Sequence, residues 1–222
     1  MSGARALDGV EVTVDREAVV VRARAPLTVV SSALVGGGLA RARAIVNLHV
    51  PKDLIEADAE ARLARFAGRR GLPAPWVGLL TSAWTEKAEV ARASGGGLHA
   101  LAVVTVGLSN RVAAGATPAA AWAPSTINTI VVVDAAAVPA ALVNAVITAT
   151  EVKALVLGAA GVRCADGAPA SGTSTDAVVV AATGRGPGAR FGGPVSELGW
   201  AVARATRAAL VAGVARWLEA HP

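Results

Sequence analysis

The order of the apolar segments is the feature that most restricts how this chain can fold. Short segments with strand-like alternation fill residues 11–50, before any helical pattern begins. Further along, apolar strands alternate with helices. Such a mixture is typical of layered α/β proteins with a mixed sheet. The expected fold class is therefore α/β (α+β), a layered sandwich whose mixed, mostly antiparallel β-sheet packs against two or three long helices.

Apolar periodicity and turn residues predict the individual elements. Two strands around a turn at residues 15–17 are predicted within 11–23, and a glycine turn at 36–38 separates two strands within 27–50. Further strands are predicted at 76–80, 98–108, 126–134 and 176–182, and helices at 53–70, 139–157 and 194–220. No repeat or linker divides the chain, so residues 1–222 are expected to form a single domain.

Composition and charge argue against several classes of protein. Hydrophobic residues make up 54% of the chain and charged residues 17%, which allows a sizeable core. The net charge of +5 comes from scattered arginines without clustered aromatic residues, which argues against nucleic-acid binding. The uncharged stretch 112–133 contains Pro118, Pro124 and Asn128, which do not suit a membrane span. The N-terminal MSGARALDGVEV lacks the apolar core of a signal peptide, so a soluble, cytoplasmic protein is expected.

The chain offers few of the usual catalytic groups. Its one cysteine, Cys164, excludes an internal disulfide and a multi-cysteine zinc site. His49, His99 and His221 form no HExxH-type pair, which argues against a zinc hydrolase, and His49 is interpreted as a strand residue with its hydrogen bonds satisfied. No GxSxG nucleophile elbow or phosphate-binding loop is present, and the glycine clusters are interpreted as loops.

Polar residues beside apolar elements are the remaining candidates. In the helix at 139–157, Asn144, Thr148 and Glu151 fall at i, i+4 and i+7, on one face, with Lys153 off that stripe. On a largely buried helix these side chains need partners, although a solvent-facing stripe is equally consistent with the sequence.

Other polar side chains lie in or next to predicted strands: Asn110 follows one strand, Asn128 lies inside another, and Asp176 stands at the entrance to a third. The segment SGTSTD (171–176) places four hydroxyl groups and a carboxylate at the mouth of a buried strand. One interpretation is that the hydroxyls line a pocket in which Asp176 works. The other is that Thr173 and Thr175 cap a turn while Asp176 satisfies backbone N–H groups.

Six segments in this order match the pattern of one known family: VVSSALVGGGLARARAIVNLHVPK (29–52), TVGLSN (105–110), STINTIVVVD (125–134), LVNAVITATEVKALVL (142–157), SGTSTDAVVVAA (171–182) and FGGPVSELG (191–199). Together they resemble the adenosylcobinamide amidohydrolases, and NAVITATE and GTSTDAVVV are the most specific. The chain departs from the family's pattern at Val106 (usually alanine), at Ser125 and Ser174 (usually glycine) and at Ser171 (usually threonine). A side chain at Ser174 stands where backbone could otherwise approach a ligand.

The resemblance implies an activity and a substrate. Members of the family hydrolyse the amide that joins a corrin-ring propionate to aminopropanol, which yields adenosylcobyric acid for vitamin B12 synthesis in corrinoid salvage. The implied partner is thus a small-molecule corrinoid, with no nucleic acid or membrane, and a homodimer is compatible with this. No metal site and no cofactor are implied, because the cobalt is carried by the substrate.

Roles for individual residues follow as hypotheses from the matched motifs. Asp176 or Glu151 is expected to act as general base, with Lys153 holding Glu151 ionised or meeting a substrate carbonyl. The expected substrate-binding residues are Asn110, Asn128, Asn144, Thr173, Thr175, Ser32 and Asn47. Among these, hydroxyl and amide groups would stabilise the oxyanion, and a serine or threonine nucleophile within 171–175 is the variant mechanism. A corrinoid-binding protein without hydrolytic activity and an amidase of the same fold acting on another amide remain as alternative functions.

Overall fold

The architecture is built on a nine-stranded mixed sheet. The computed structural model describes residues 4–52, 58–119 and 125–221. The strands of the large sheet are β1 (Ala4–Leu7), β2 (Val10–Val14), β3 (Ala18–Ser31), β4 (Gly38–His49), β5 (Trp76–Thr81), β6 (Glu89–Gly95), β7 (Leu98–Val106), β9 (Ile127–Val133) and β12 (Ala177–Ala182). Two small ladders join β8 (Arg111–Val112) to β11 (Gly172–Thr173) and β10 (Ala136–Ala137) to β13 (Gly188–Ala189). The helices are α1 (Ala59–Arg69), α2 (Pro139–Ala159) and α3 (Glu197–Glu219).

The long strand β3 belongs to two parts of this sheet. Its first half pairs with β2 and its second half with β12, while β4 runs along its other edge. The register with β4 shifts between Arg22 and Leu27, where β3 carries extra residues, and such bulges bend a strand. Pro26 lies in this bulge, where a missing N–H costs no ladder hydrogen bond. The bend separates a first part, β1 to β5, from a second part in the order β12–β9–β7–β6.

The two parts of the sheet pack face to face. Val21 and Ile45 from the first part share one buried cluster with Val103, Ile130 and Val132 from the second. Each such buried side chain stabilises the fold by about 1.5–3 kcal/mol. Because successive side chains of a strand point to opposite faces, the outer face of each part remains for a helix to cover.

Helices cover both outer faces. α2 and α3 pack on the second part through residues such as Leu142 and Leu210, and α1 packs on the first part through Leu63 and Phe66. Among the described strand pairs of the large sheet, only β4–β5 and β9–β12 are parallel. The predicted layered sandwich with a mixed, mostly antiparallel sheet and long helices is therefore confirmed.

Most predicted elements are present, and the differences have local causes. The strands predicted on either side of residues 24–26 are one strand, because β3 bends without ending. The sequence analysis missed β6, an edge strand with alternating exposure and few β-branched residues. α3 begins at Glu197 because the Ser196 side chain accepts a hydrogen bond from Gly199 N at 3.1 Å and caps the helix. Residues 53–57 of the first predicted helix lie outside the described residues.

α2 is a long, apolar helix that is partly buried in the protein. By length and composition α2 could cross a membrane, with a mean hydropathy of 1.6, but 44% of that window is buried inside the fold. Leu142, Ala145 and Leu157 are among the buried positions.

Candidate functional site

A cleft opens between the two parts of the sheet, beside the N-terminal ends of β9 and β12. Its volume is about 390 Å³, within the range of about 300–1,000 Å³ that small-molecule sites occupy. The hydroxyl side chains in its wall belong to Ser32, Thr81, Ser82, Ser125, Thr126, Ser174 and Thr175. Apolar residues, among them Leu34 and Leu79, complete the lining. The cleft can therefore hold an amphipathic group that both donates and accepts hydrogen bonds.

Two buried carboxamides join the sheet parts next to this cleft. Asn128 Nδ2 on β9 donates to Asn47 Oδ1 on β4 and to Leu80 O on β5, both at 2.8 Å. Asn47 Nδ2 in turn donates to Thr105 Oγ1 on β7 at 3.0 Å. Asn47 and Asn128 are each 1% exposed. Both hydrogens of Asn128 Nδ2 are thus bound within the protein. The Asn47–Asn128 pair therefore fixes the two parts of the sheet relative to each other at the site.

The segments before β9 and β12 form one wall of the cleft and are tied to each other. Thr126 Oγ1 lies 2.7 Å from Thr175 O and 3.0 Å from Asn128 Oδ1. Thr175 Oγ1 donates to Ser125 O at 3.1 Å. Ser125 Oγ accepts from Ser109 N at 3.0 Å. These bonds fix the positions of the hydroxyl groups that face the cleft.

Asp176 organises the loop 171–176. Its Oδ1 accepts from Ile127 N at 2.9 Å and from Thr173 Oγ1. Its Oδ2 accepts from Thr173 N at 3.1 Å and from Lys153 Nζ on α2. The Lys153 and Asp176 side chains are 10% and 9% exposed, so this is a largely buried ion pair. The carboxylate thus bonds backbone N–H groups, as the turn-capping interpretation expects, and also a hydroxyl and an ammonium group.

Gly172 allows the ion pair to approach the loop. A Cβ at this position would collide with Asp176 Oδ2 and lie 2.8 Å from Lys153 Nζ. Any side chain here would push the lysine and the carboxylate away from the backbone. The glycine of the SGTSTD motif is therefore needed for close contact rather than for its backbone angles.

Most of the predicted site residues lie around the cleft and this loop. Ser32 Oγ accepts from Val178 N at 3.1 Å, and Asn110 Nδ2 donates to Ser174 Oγ at 2.6 Å. The predicted residues that the fold brings together here are Ser32, Asn47, Asn110, Asn128, Lys153, Thr173, Thr175 and Asp176. No contact described above tests their chemical roles, which stay predictions.

Two predicted residues on α2 lie elsewhere. Asn144 and Glu151 are exposed, whereas Thr148 is buried and donates to Gly192 O at 2.9 Å. Glu151 precedes Lys153 by two residues, which turns its side chain about 200° around the helix. The expectation that Lys153 holds Glu151 is therefore corrected, because Lys153 pairs with Asp176 instead.

Several residues of the site were not predicted. Thr105, Thr126 and Ser82 had no assigned role, although Thr126 and Asn128 stand at i and i+2 and so share one face of a strand. That spacing was the available signal.

His49 behaves as predicted, with Nδ1 3.0 Å from Ala83 O, and its ring stacks on Trp84 at 5.1 Å. Within the described residues no group of three or more His, Cys, Asp or Glu side chains could hold a metal.

Comparison with known proteins places the chain in a family. The profile of the adenosylcobinamide amidohydrolases matches residues 4–222. The chain belongs to this family. A family relative, the adenosylcobinamide amidohydrolase of Methanosarcina mazei, is 34% identical over 149 residues, which is 65% of this chain and 64% of that protein. The match thus spans somewhat less than two thirds of the length of that relative.

Solved structures resemble this family member only distantly. A β-aminopeptidase of Burkholderia sp. aligns over 96% of this chain and 81% of its own, with a TM-score of 0.47 and 14% identity. A protein from Pyrococcus horikoshii aligns over 92% of this chain and 78% of its own, with a TM-score of 0.49 and 12% identity.

Proposed function

We propose that this protein hydrolyses adenosylcobinamide to adenosylcobyric acid and aminopropanol in corrinoid salvage. The observation that carries the proposal is membership of the adenosylcobinamide amidohydrolase family over residues 4–222. The name of the Methanosarcina mazei relative supports the same substrate. In this reaction the amide C–N bond breaks, the oxygen of water joins the carbonyl carbon, and the amine leaves with the proton.

The size of the cleft supports a mode of binding. A corrin ring with its adenosyl ligand is far too large for a cleft of about 390 Å³. Only the amide-bearing side arm enters, and the ring rests at the mouth, where the 46% exposed Leu34 offers apolar surface. The hydroxyl groups of the wall suit an amide, which both donates and accepts hydrogen bonds.

The chemical step is assigned to Thr173, Asp176 and Lys153. Thr173 Oγ1 already donates to Asp176 Oδ1, which is the arrangement of a nucleophile beside its base. Thr173, directly before the cleft residues Ser174 and Thr175, attacks the carbonyl carbon as its proton passes to Asp176, and Asp176 returns that proton to the leaving amine. Water then hydrolyses the resulting ester, with Asp176 again as base. Lys153 balances the charge of Asp176 throughout. The Thr175 hydroxyl, which donates to Ser125 O in this structure, turns to donate to the oxyanion.

The carboxamides have a different part in this proposal. Asn47 and Asn128 position the cleft wall rather than contact the substrate, because both are 1% exposed and both are hydrogen-bonded within the protein. Ser32 remains as a substrate contact in the cleft wall, and Asn110 remains as one beside it, next to Ser174. Asn144 and Glu151 are left out, because both are exposed on α2. We further propose that the reaction needs no cofactor, and that it takes place in the cytoplasm, where coenzyme synthesis uses the product.

Turnover of adenosylcobinamide tests the function directly. Incubation with the purified protein should release aminopropanol and adenosylcobyric acid, measured by mass spectrometry, and a metal chelator should leave the rate unchanged. A shift in the visible absorption of the corrinoid without release of aminopropanol would instead identify a corrinoid-binding protein. No response at all would point to an amidase for another amide.

Two variants of Thr173 test the mechanism. Thr173→Ser keeps a hydroxyl beside Asp176 and should retain measurable turnover. Thr173→Val has nearly the same shape without the hydroxyl and should lose at least about 100-fold in kcat, the scale on which catalytic proton transfer contributes. Turnover by Thr173→Val within a few-fold of wild type would exclude Thr173 as nucleophile.

A further inference from the structure

A second cavity adjoins the cleft and differs from it in charge. It has a volume of about 100 Å³ and shares Ser82 and Ser125 with the cleft. Its cationic lining residues are Lys52, Lys87 and Arg216. No carboxylate is found among the described residues that line it. We refer to it as the basic cavity.

Two of its cations have no acidic partner among the described residues. Arg216 pairs with Glu89 and donates to Lys87 O at 3.0 Å, so its charge is already balanced. Across the described parts of the chain, no carboxylate oxygen lies within 4.0 Å of Lys52 Nζ or Lys87 Nζ. The described contact of Lys52 Nζ is with Ser109 Oγ at 3.4 Å. Two lysines without a described carboxylate partner, both in the lining of one small cavity, are the basis for a site that attracts an anion.

Aromatic rings form much of the remaining wall. Trp84, Trp217 and His221 line the basic cavity, and the Trp217 and His221 rings stack at 4.1 Å. The volume of about 100 Å³ suits a single phosphate group better than a nucleotide.

We propose that the basic cavity binds a phosphate group carried by the leaving arm of the substrate. The inference rests on the proposed function, since it requires the scissile amide to lie in the adjoining cleft. In aminopropanol only two carbon atoms separate the amide nitrogen from the hydroxyl oxygen. A phosphate ester on that oxygen therefore reaches from the cleft past Ser125 into the cavity. Adenosylcobinamide phosphate is then a better substrate than adenosylcobinamide, with Lys52 and Lys87 as its specificity-determining residues.

The kinetic test compares both substrates with three proteins. Wild type should show a kcat/KM for the phosphate ester about tenfold above that for adenosylcobinamide, since exposed charge pairs contribute modestly. The double variant Lys52→Met/Lys87→Met should abolish this preference, and raising the salt concentration should weaken it in wild type. Arg207→Met removes one exposed charge from α3 outside the basic cavity and should leave the preference intact. An unchanged preference in the double variant would overturn the proposal.

A binding measurement separates this proposal from the proposed function. Aminopropanol O-phosphate should quench tryptophan fluorescence saturably in wild type, through Trp84 and Trp217, and inorganic phosphate should compete with it. Unphosphorylated aminopropanol should not quench. Binding of the phosphate ester by a protein that does not hydrolyse adenosylcobinamide would support the cavity and refute the function. Hydrolysis of adenosylcobinamide without binding of the ester would support the proposed function and refute the phosphate site in the basic cavity.

Discussion

Replacing Lys153 by methionine should destabilise the protein strongly, because it leaves Asp176 buried without its counter-ion. The two side chains are 10% and 9% exposed. Removing one partner of a buried ion pair costs about 3–5 kcal/mol. Asp176 keeps its bonds to Ile127 N, Thr173 N and Thr173 Oγ1, so we expect the lower end, about 3 kcal/mol, for Lys153→Met.

Asp176→Asn should cost more than Lys153→Met. The asparagine leaves Lys153 without a negative partner, and its NH₂ group cannot accept from one of the two backbone N–H groups that the carboxylate now bonds. An unsatisfied buried donor adds about 1–3 kcal/mol, so a total near 5 kcal/mol is expected. The double variant should cost about 2 kcal/mol less than the sum of the single variants, because each already breaks the same pair.

Urea unfolding followed by tryptophan fluorescence measures these values, and the chain has five tryptophans. Arg207→Met is the matched control, since it removes an exposed cation from α3 and should change the free energy of unfolding by less than about 0.5 kcal/mol. Single variants that each cost under about 1 kcal/mol and add without coupling would refute the claim that the ion pair fixes the loop. Turnover of each variant below its unfolding transition then separates loss of fold from loss of chemistry.

Three further substitutions test other parts of the site. Gly172→Ala should lower the free energy of unfolding by at least about 1–3 kcal/mol because its Cβ displaces the ion pair, whereas Gly158→Ala in α2, where a Cβ meets no atom within 4 Å, should stabilise by about 0.5–1 kcal/mol. Asn128→Asp places a carboxylate oxygen against two acceptors and should lower Tm by roughly 5 °C or more, while Asn144→Asp at an exposed position should barely change it. Equal shifts in Tm would show that the buried Asn47–Asn128 pair does not stabilise the fold. Glu151→Gln should leave both Tm and turnover close to wild type. A tenfold loss of turnover would show that Glu151 takes part in catalysis.

The local chemistry of the sequence was sufficient for most of the elements and for the family. Apolar alternation predicted the strands that flank the turns, and Pro139 at the first turn of α2 marked the start of that helix. The SGTSTD segment predicted a polar loop before a buried strand, and the structure places Asp176 in that loop with hydrogen bonds to backbone N–H groups. These are properties of short segments, because periodicity, turn residues and motif spacing act within a few residues of each other.

Tertiary structure alone decided which of the candidate residues meet. Asn47 and Asn128 are 81 positions apart and become partners only because β3 bends and folds one part of the sheet onto the other. Glu151 and Lys153, both candidates on α2, are only two positions apart. Packing of that helix on β12 nevertheless turned Lys153 toward Asp176 and Glu151 toward solvent. The sequence specifies the faces of each strand and helix, whereas long-range packing selects which faces touch, and the site lies at those contacts.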